Sequence, residues 1–307
     1  MEDTDYKMSC NRTLTGFWSK HVNSKGKRQI VFDSKLALDD REVNIPCGNC
    51  VGCRLEKSRQ WAMRCVLEAS LYKRNCFITL TYKDLNNWSL NKRDFVLFMK
   101  RLRKRYGNNI RYYHCGEYGE ENNRPHHHAL IFNHDFEDKR LYSSHRGNDL
   151  YRSWELERLW THGFSTIGEV TFDSAAYVAR YIMKKQNGFN AEQHYDWITE
   201  IDFETGEAKR GALPEYNSMS RNKGIGTAWI EKYKDDIYPK DYIVLNGKKM
   251  RPPKFFDEWL RKNDPYLYDQ VKENRYLESL EVERTIQDED RNEDYIKEKL
   301  KLKTRSI

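Results

Sequence analysis

Residues 110–132 read IRYYHCGEYGEENNRPHHHALIF. Two runs rich in aromatic and aliphatic residues, IRYYHCGEYG (110–119) and HHALIF (127–132), flank a polar loop containing Pro125, the pattern of a hairpin. Successive strand residues point to opposite faces, so His126 and His128 project together while His127 points the other way. A hairpin needs further strands and a covering layer, and the flanking sequence offers both.

Upstream, CFITLTY (76–82) reads as a strand closed by the turn KDLNN. Phe95, Phe98, Met99, Leu102 and Tyr106 then recur at three- and four-residue steps with basic residues between them, which predicts an amphipathic helix ending at Gly107. Downstream come a helix around DLYRSWELERLW (149–160), a strand in FSTIGEVTF (164–172), and a helix over SAAYVARYIMKKQN (174–187) capped by Asp173 or Ser174 and stopped at Gly188. This β-α-β-β-α-β-α order predicts an α+β fold, with helices on one side of an antiparallel sheet whose middle strands are the hairpin pair. The chain turns loop-rich through GEAKRGALPEYNSMSRNKGIG (206–226), and beyond Pro265 it is charged and free of Gly and Pro, a solvated helix or mobile tail. Three regions follow: residues 1–72 as an N-terminal segment with a candidate zinc site, 73–190 as the core, and 191–307 as a DNA-contacting and charged C-terminal extension.

The composition fits a globular chain with an aromatic core. Of 307 residues, 38% are hydrophobic and 33% charged, yet there are 20 Tyr, 13 Phe and 8 Trp, and the mean hydropathy is −0.96. Disordered chains lack such large groups to bury. The net charge of +7 is modest, but residues 92–105 carry seven basic side chains against Asp94 alone, which suits a polyanionic partner or a solvated face. No run approaches the roughly 18 apolar residues of a membrane helix, and MEDTDYKMSC lacks the apolar core of an export signal. We therefore expect no membrane association. Seven cysteines in such a chain are expected to be reduced or metal-bound, with Cys65, Cys76 and Cys115 in the core.

Three clusters carry candidate chemistry. His126 and His128 can share a divalent ion with a carboxylate of the preceding strand, Glu117 or Glu120, the former preferred; the alternative is hydrogen-bonded loop histidines. In YVARYIMK, Tyr177, Tyr181 and Lys184 fall on one helical face, either a packed stripe or tyrosines activated by Lys184, Lys185 or a metal. In PCGNCVGC, Cys47, Cys50 and Cys53 have the spacing of a tetrahedral metal site, with remote Cys10 as a fourth ligand. Zinc fits best, part of an iron–sulfur run is a second choice, and reduced thiols in a tight turn are the third.

FITLTY, RPHHHALIF and YVARYIMKK, in this order, resemble the three motifs of rolling-circle replication initiators of the His-hydrophobic-His (HUH) endonuclease superfamily. IPCGNCVGCRLEKSRQWAMRC, GEYG and SRNKGIG further resemble the replication initiators of the gokushovirus branch of the microviruses, small single-stranded-DNA bacteriophages. One departure is His127, at a position that is usually hydrophobic. The resemblance implies an HUH endonuclease fold in which His126, His128 and Glu117 hold Mg2+ or Mn2+ and Tyr177 and Tyr181 attack origin single-stranded DNA, leaving a 5′-phosphotyrosine and a free 3′-OH. Rejoining then circularises the genome. Lys184 would stabilise phosphate charge or move a proton, while Lys92, Arg93, Arg101, Arg103, Lys104, Lys185, Arg221 and Lys223 would hold the DNA backbone. It further implies host helicase and polymerase as partners in the bacterial cytoplasm. The alternative is a zinc-containing, sequence-specific DNA-binding protein without catalysis; a single-turnover transposase has no need of two tyrosines.

Overall fold

The computed structural model describes residues 10–280, except 11, 25, 27, 84–88, 120–122, 146, 181–198, 202–207 and 211, together with residue 294. The chain divides into two compact units, the smaller made of Met1–Lys57, Ile243–Arg251 and Asp269–Ile307, the larger of Ser58–Tyr242 and Pro252–Tyr268. In the smaller unit, β1 (Leu14–Val22), β2 (Arg28–Val31) and β3 (Ala37–Ile45) form an antiparallel sheet of order β2-β1-β3. The pairing of Leu14 with Ile45 brings the segment that holds Cys10 to the segment that follows β3. Helix α1 (Val51–Ala69) begins there and continues into the larger unit.

The larger unit contains β4 (Asn75–Thr81), α2 (Lys92–Tyr106), β5 (Arg111–Tyr118), β6 (Pro125–Phe132), β7 (Arg140–His145), β8 (Asn148–Arg152), α3 (Trp154–Leu159), β9 (Ser165–Gly168), α4 (Phe172–Arg180), β10 (Thr199–Ile201), β11 (Ala208–Arg210), β12 (Tyr216–Met219) and α5 (Thr227–Ile237). A short hairpin of β13 (Ile243–Leu245) and β14 (Lys248–Met250) precedes α6 (Lys254–Asn263) and α7 (Pro265–Leu280). The antiparallel sheet has seven strands in the order β12-β5-β6-β4-β9-β8-β7.

Several expectations change here. The hairpin strands β5 and β6 pair as predicted, but β4 inserts on the far side of β6. Among β4, β5, β6 and β9 the middle pair is therefore β6 and β4. Helices also cover both faces rather than one, because the strands are apolar on both sides. Cys76, Ile78, Leu80, Ala129 and Ile131 pack under α2 and α3 through Phe95, Phe98, Met99, Leu102 and Leu156. Tyr113, Cys115, Leu130 and Phe132 pack on the other face with Ala62, Cys65 and Ala69 of α1 and Ala175, Val178 and Ala179 of α4. Cys65, Cys76 and Cys115 are core residues, as expected.

The helix expected over 149–160 is a strand followed by a six-residue helix. Ser153 decides the boundary: its extended backbone and the bond from the Leu156 N–H to its Oγ, 3.1 Å, start α3 at Trp154. For α4, the cap is Thr171 rather than Asp173 or Ser174. Its hydroxyl accepts from the Ser174 N–H at 3.1 Å while its own N–H donates to Ser174 Oγ at 2.9 Å, the reciprocal bonds of a capping box. Gly188 lies outside the described residues.

The segment expected to be loop also yields a strand, β12, which extends the β5 edge. Its successor, SRNKGIG, is fastened from below. Buried Glu68 accepts from Arg111 Nε at 2.5 Å and from the Gly226 N–H at 2.7 Å, and Arg111 donates to the carbonyls of Asn222 and Lys223, each at 2.8 Å. Gly226 has φ +83°, and a Cβ there would lie 3.2 Å from the Phe256 ring, so glycine is required. Beyond Pro265 the described chain is helical, as α7. Among the described residues no helix is long and apolar enough to cross a membrane.

Candidate metal centre and replication motifs

The β5–β6 register sets Glu117 directly opposite His126 and Cys115 opposite His128; across β6, Thr81 lies opposite His126 and Thr79 opposite His128. Side-chain alternation then puts Glu117, His126, His128, Thr79 and Thr81 on one face, that of α4. Glu117 is 1% exposed. Its Oε1 lies 2.7 Å from His126 Nε2 and 2.8 Å from His128 Nε2. Burial pushes the Glu117 carboxyl up, but the hydrogen bonds and positive charge of the two imidazoles outweigh it and hold the group below its usual range.

These residues fit a divalent cation. One ligand atom from each of Glu117, His126 and His128 lies within 4.8 Å of the others. His126 Nδ1 is 2.9 Å from the Arg124 carbonyl, which accepts only, so that nitrogen carries the proton and Nε2 of the neutral ring is left with a lone pair. Two such lone pairs converging on a carboxylate oxygen call for a cation between them. Thr79 Oγ1, 2.9 Å from His128 Nδ1, orients that ring, and Arg124 secures the loop by donating to the Tyr82 and Lys83 carbonyls at 2.5 and 2.8 Å. Thr79 carries no signature in the sequence beyond the strand period.

Helix α4 brings Tyr177 to this centre. Its half-buried ring stands edge-on to His128, with centroids 5.1 Å apart, and 6.4 Å from Phe77. Tyr181, Lys184, Lys185 and Glu120 lie outside the described residues.

On the opposite face, His127 belongs to a buried hydrogen-bonded chain that sequence reasoning missed. Tyr82 Oη donates to Asp94 Oδ2 at 2.9 Å, so it accepts from His127 Nε2 at 3.0 Å. His127 Nδ1 is then the acceptor for His114 Nε2 at 3.2 Å, and His114 Nδ1 accepts from Ser218 Oγ at 2.9 Å. Phe95 stacks on His114 with centroids 3.5 Å apart. Burial pushes His127 down to about 3, and His114 also falls well below its ordinary value. Both rings are thus neutral donor–acceptor links between α2, β5, β6 and β12.

The basic helix α2 packs on this second face, across the sheet from the triad. Lys92, Arg93 and Lys104 are exposed, with the Lys92 ammonium 4.8 Å from the Tyr216 ring. Arg101 is committed to the Leu159 carbonyl at 2.8 Å and Arg103 to that of Ile110 at 3.1 and 2.9 Å. Arg221 is exposed, and Lys223 pairs with Glu231 at 2.6 Å.

In the smaller unit, Cys10, Cys47, Cys50 and Cys53 offer four sulfurs within 4.8 Å of one another. Cys10 Sγ and Cys50 Sγ are 3.9 Å apart, close to the edge of about 3.8 Å of a tetrahedron with Zn–S bonds of about 2.3 Å. The N–H groups of Cys47, Cys50 and Cys53 donate to the sulfurs of Cys10, Cys47 and Cys50 at 3.2, 3.3 and 3.4 Å, bonds that favour thiolates. The donor set fits Zn2+.

An antiparallel sheet with a carboxylate–bis-histidine centre and a tyrosine beside it defines a class of metal-binding α+β proteins. The family model for the replication-associated protein ORF2 matches residues 75–186, from the start of β4 to beyond α4. Replication-associated protein VP4 of Bdellovibrio phage phiMH2K is 34% identical over 279 residues, spanning 87% of this chain and 83% of its own. Replication-associated protein ORF2 of Spiroplasma virus 4 is 32% identical over 275 residues, spanning 83% and 79%. Replication-associated protein ORF4 of Chlamydia phage 1 is 28% identical over 229 residues, spanning 71% and 54%. The chain belongs to this family, the replication initiators of microviruses, and its role is in the initiation of phage DNA replication. No solved structure matches the chain.

Proposed function

We propose that this chain starts rolling-circle replication by nicking single-stranded DNA at the origin and later rejoins the strand, with residues 73–190 as an HUH endonuclease core. The observation that carries this reading is the placement of Tyr177 against His128 of the Glu117–His126–His128 triad, centroids 5.1 Å apart on one sheet face. A divalent ion, Mn2+ or Mg2+, held by these three residues supplies Lewis-acid charge for the scissile phosphate.

The protein residues do the rest. Tyr177 Oη gives up its proton and attacks phosphorus, the P–O3′ bond breaks, and the 3′ oxygen leaves as a hydroxyl that primes synthesis. The phosphoester is conserved as a 5′-phosphotyrosine, so a later 3′-OH can attack it and close the circle without ATP. Tyr181 is the alternate nucleophile for the second cut, and Lys184 steadies phosphate charge. Lys92, Arg93, Lys104, Lys185, Arg221 and Lys223 contact the DNA backbone, with Arg101 and Arg103 acting through the carbonyls they hold. Host helicase and polymerase in the bacterial cytoplasm extend the released 3′ end. Zinc on the four cysteines holds the N-terminal segment together.

A second reading, a zinc-stabilised DNA binder without catalysis, is favoured by the cysteine cluster alone. The two separate in one assay: with Mn2+ and phage single strands, the enzyme leaves a protein–DNA adduct that survives denaturation, and the binder leaves none.

A further inference from the structure

The hairpin β7–β8, absent from the sequence expectations, widens the sheet on the side of the triad. Strand pairing carries one row from His128 to Thr79 to Thr166. Tyr151 pairs with Ile167, which sets Arg152 beside Thr166. A second row runs from Glu117 to His126 to Thr81, whose N–H and hydroxyl donate to the Phe164 carbonyl at 2.8 and 3.1 Å. With strands about 4.8 Å apart, Arg152 lies three strands from His128 and Phe164 two from His126, on one continuous face.

This face ends in two exposed rings about one guanidinium. Phe164 is 54% and Tyr142 62% exposed, and Arg152 Cζ lies 6.0 and 5.7 Å from their centroids. Arg152 Nε and Nη2 are held by Glu157 at 2.9 and 2.5 Å, which fixes the fork in place. Exposed Arg140 pairs directly opposite Arg152 across the β7–β8 ladder. Like charges so placed repel, and an anion relieves the repulsion. Two arginines against one glutamate leave the patch cationic, and the threonine hydroxyls between it and the triad make a floor for a backbone. Rings at the rim with cationic groups between them match the recognition of unpaired bases on a phosphate backbone, where each ring accepts a base face of any sequence.

We propose that Phe164 and Tyr142, with Arg152 and Arg140, form a stacking platform for the single strand that runs into the Glu117–His126–His128 centre. This deepens the nicking reading and rests on it. Gly163 sets the ring in place: a Cβ there would meet Lys83 N at 2.3 Å and the Thr81 carbonyl at 2.5 Å, so the backbone before Phe164 closes tightly onto the end of β4.

The test is fluorescence anisotropy of the full chain, without added divalent ion, on a fluorescein-labelled single-stranded oligodeoxynucleotide of mixed sequence and on its duplex. Tyr142→Ala and Phe164→Ala should each weaken single-strand binding about five-fold or more. Tyr142→Phe and Phe164→Tyr, which keep the rings, should match the wild type, and duplex binding should stay unchanged. Arg140→Ala should lower the salt dependence by about one counterion. Wild-type single-strand affinity in the two alanine variants, while the wild-type chain still forms its Mn2+-dependent adduct, overturns the platform alone and leaves the face to a protein partner. Absence of the adduct in the wild type removes the nicking reading instead.

Discussion

Glu117 faces His126 directly across the β5–β6 ladder, and one oxygen of its carboxylate lies within 2.7 Å of that ring and 2.8 Å of His128. Convergence on a single oxygen makes the carboxylate the common ligand. Glu117→Gln should abolish Mn2+ binding, followed by the loss of free-ion signal in electron paramagnetic resonance. Thr79→Val removes the partner of His128 Nδ1 and should weaken binding about 10–100-fold. Two imidazoles with one carboxylate should also favour Mn2+ over the oxygen-seeking Mg2+.

His127→Leu restores the hydrophobic residue usual in the motif, yet here it should destabilise. Tyr82 and His114 would each lose a buried partner, at about 1–3 kcal/mol apiece, visible as a lower urea midpoint. His127 and His114 bind protons more weakly folded than unfolded. Between pH 6.5 and about 3 the unfolded chain therefore holds more protons, and stability falls as pH drops through that window. The slope is up to about 1.4 kcal/mol per pH unit for each ring. His127→Leu should shrink the stability difference between neutral and mildly acidic buffer; an unchanged difference would refute the assignment.

Glu68→Ala leaves Arg111 buried beside the main chain without its carboxylate and frees the Gly226 N–H. A loss of about 3–5 kcal/mol is expected from chemical denaturation. Replacing both residues with apolar ones should cost less than the single change.

Burial pushes the Cys10 thiol up and that of Cys53 up to about 12. These thiols are protonated at neutral pH without metal, so zinc must displace their protons. Zinc added to the metal-free chain should acidify a weakly buffered indicator solution, and affinity should fall as pH falls. Binding without proton release would contradict a thiolate site.

Much of the core was legible because its signals are local. The steps of Phe95, Phe98, Met99 and Leu102 mark α2, and the period of two separates His126 and His128 from His127. Strand order was not legible: β4 inserts beside β6 through burial of Ile78 and Leu80 against residues far along the chain. Neither were the added strands. Tyr216–Met219 is four half-buried residues of mixed polarity, and Asn148–Arg152 abuts a helix start so closely that the two share one hydrophobic pattern. Arg101 and Arg103 looked like free charge, although their carbonyl partners are set by tertiary packing.

The central claim is a covalent bond between Tyr177 or Tyr181 and the 5′ phosphate of a nicked single strand. The direct measurement incubates the full chain with Mn2+ and labelled phage single-stranded DNA, denatures it, and maps the labelled peptide by mass spectrometry. The account predicts an adduct on the peptide that carries both tyrosines, lost in Glu117→Gln and in the double variant Tyr177→Phe/Tyr181→Phe. An adduct that persists in the double variant, or none on strands that contain the origin, would contradict it.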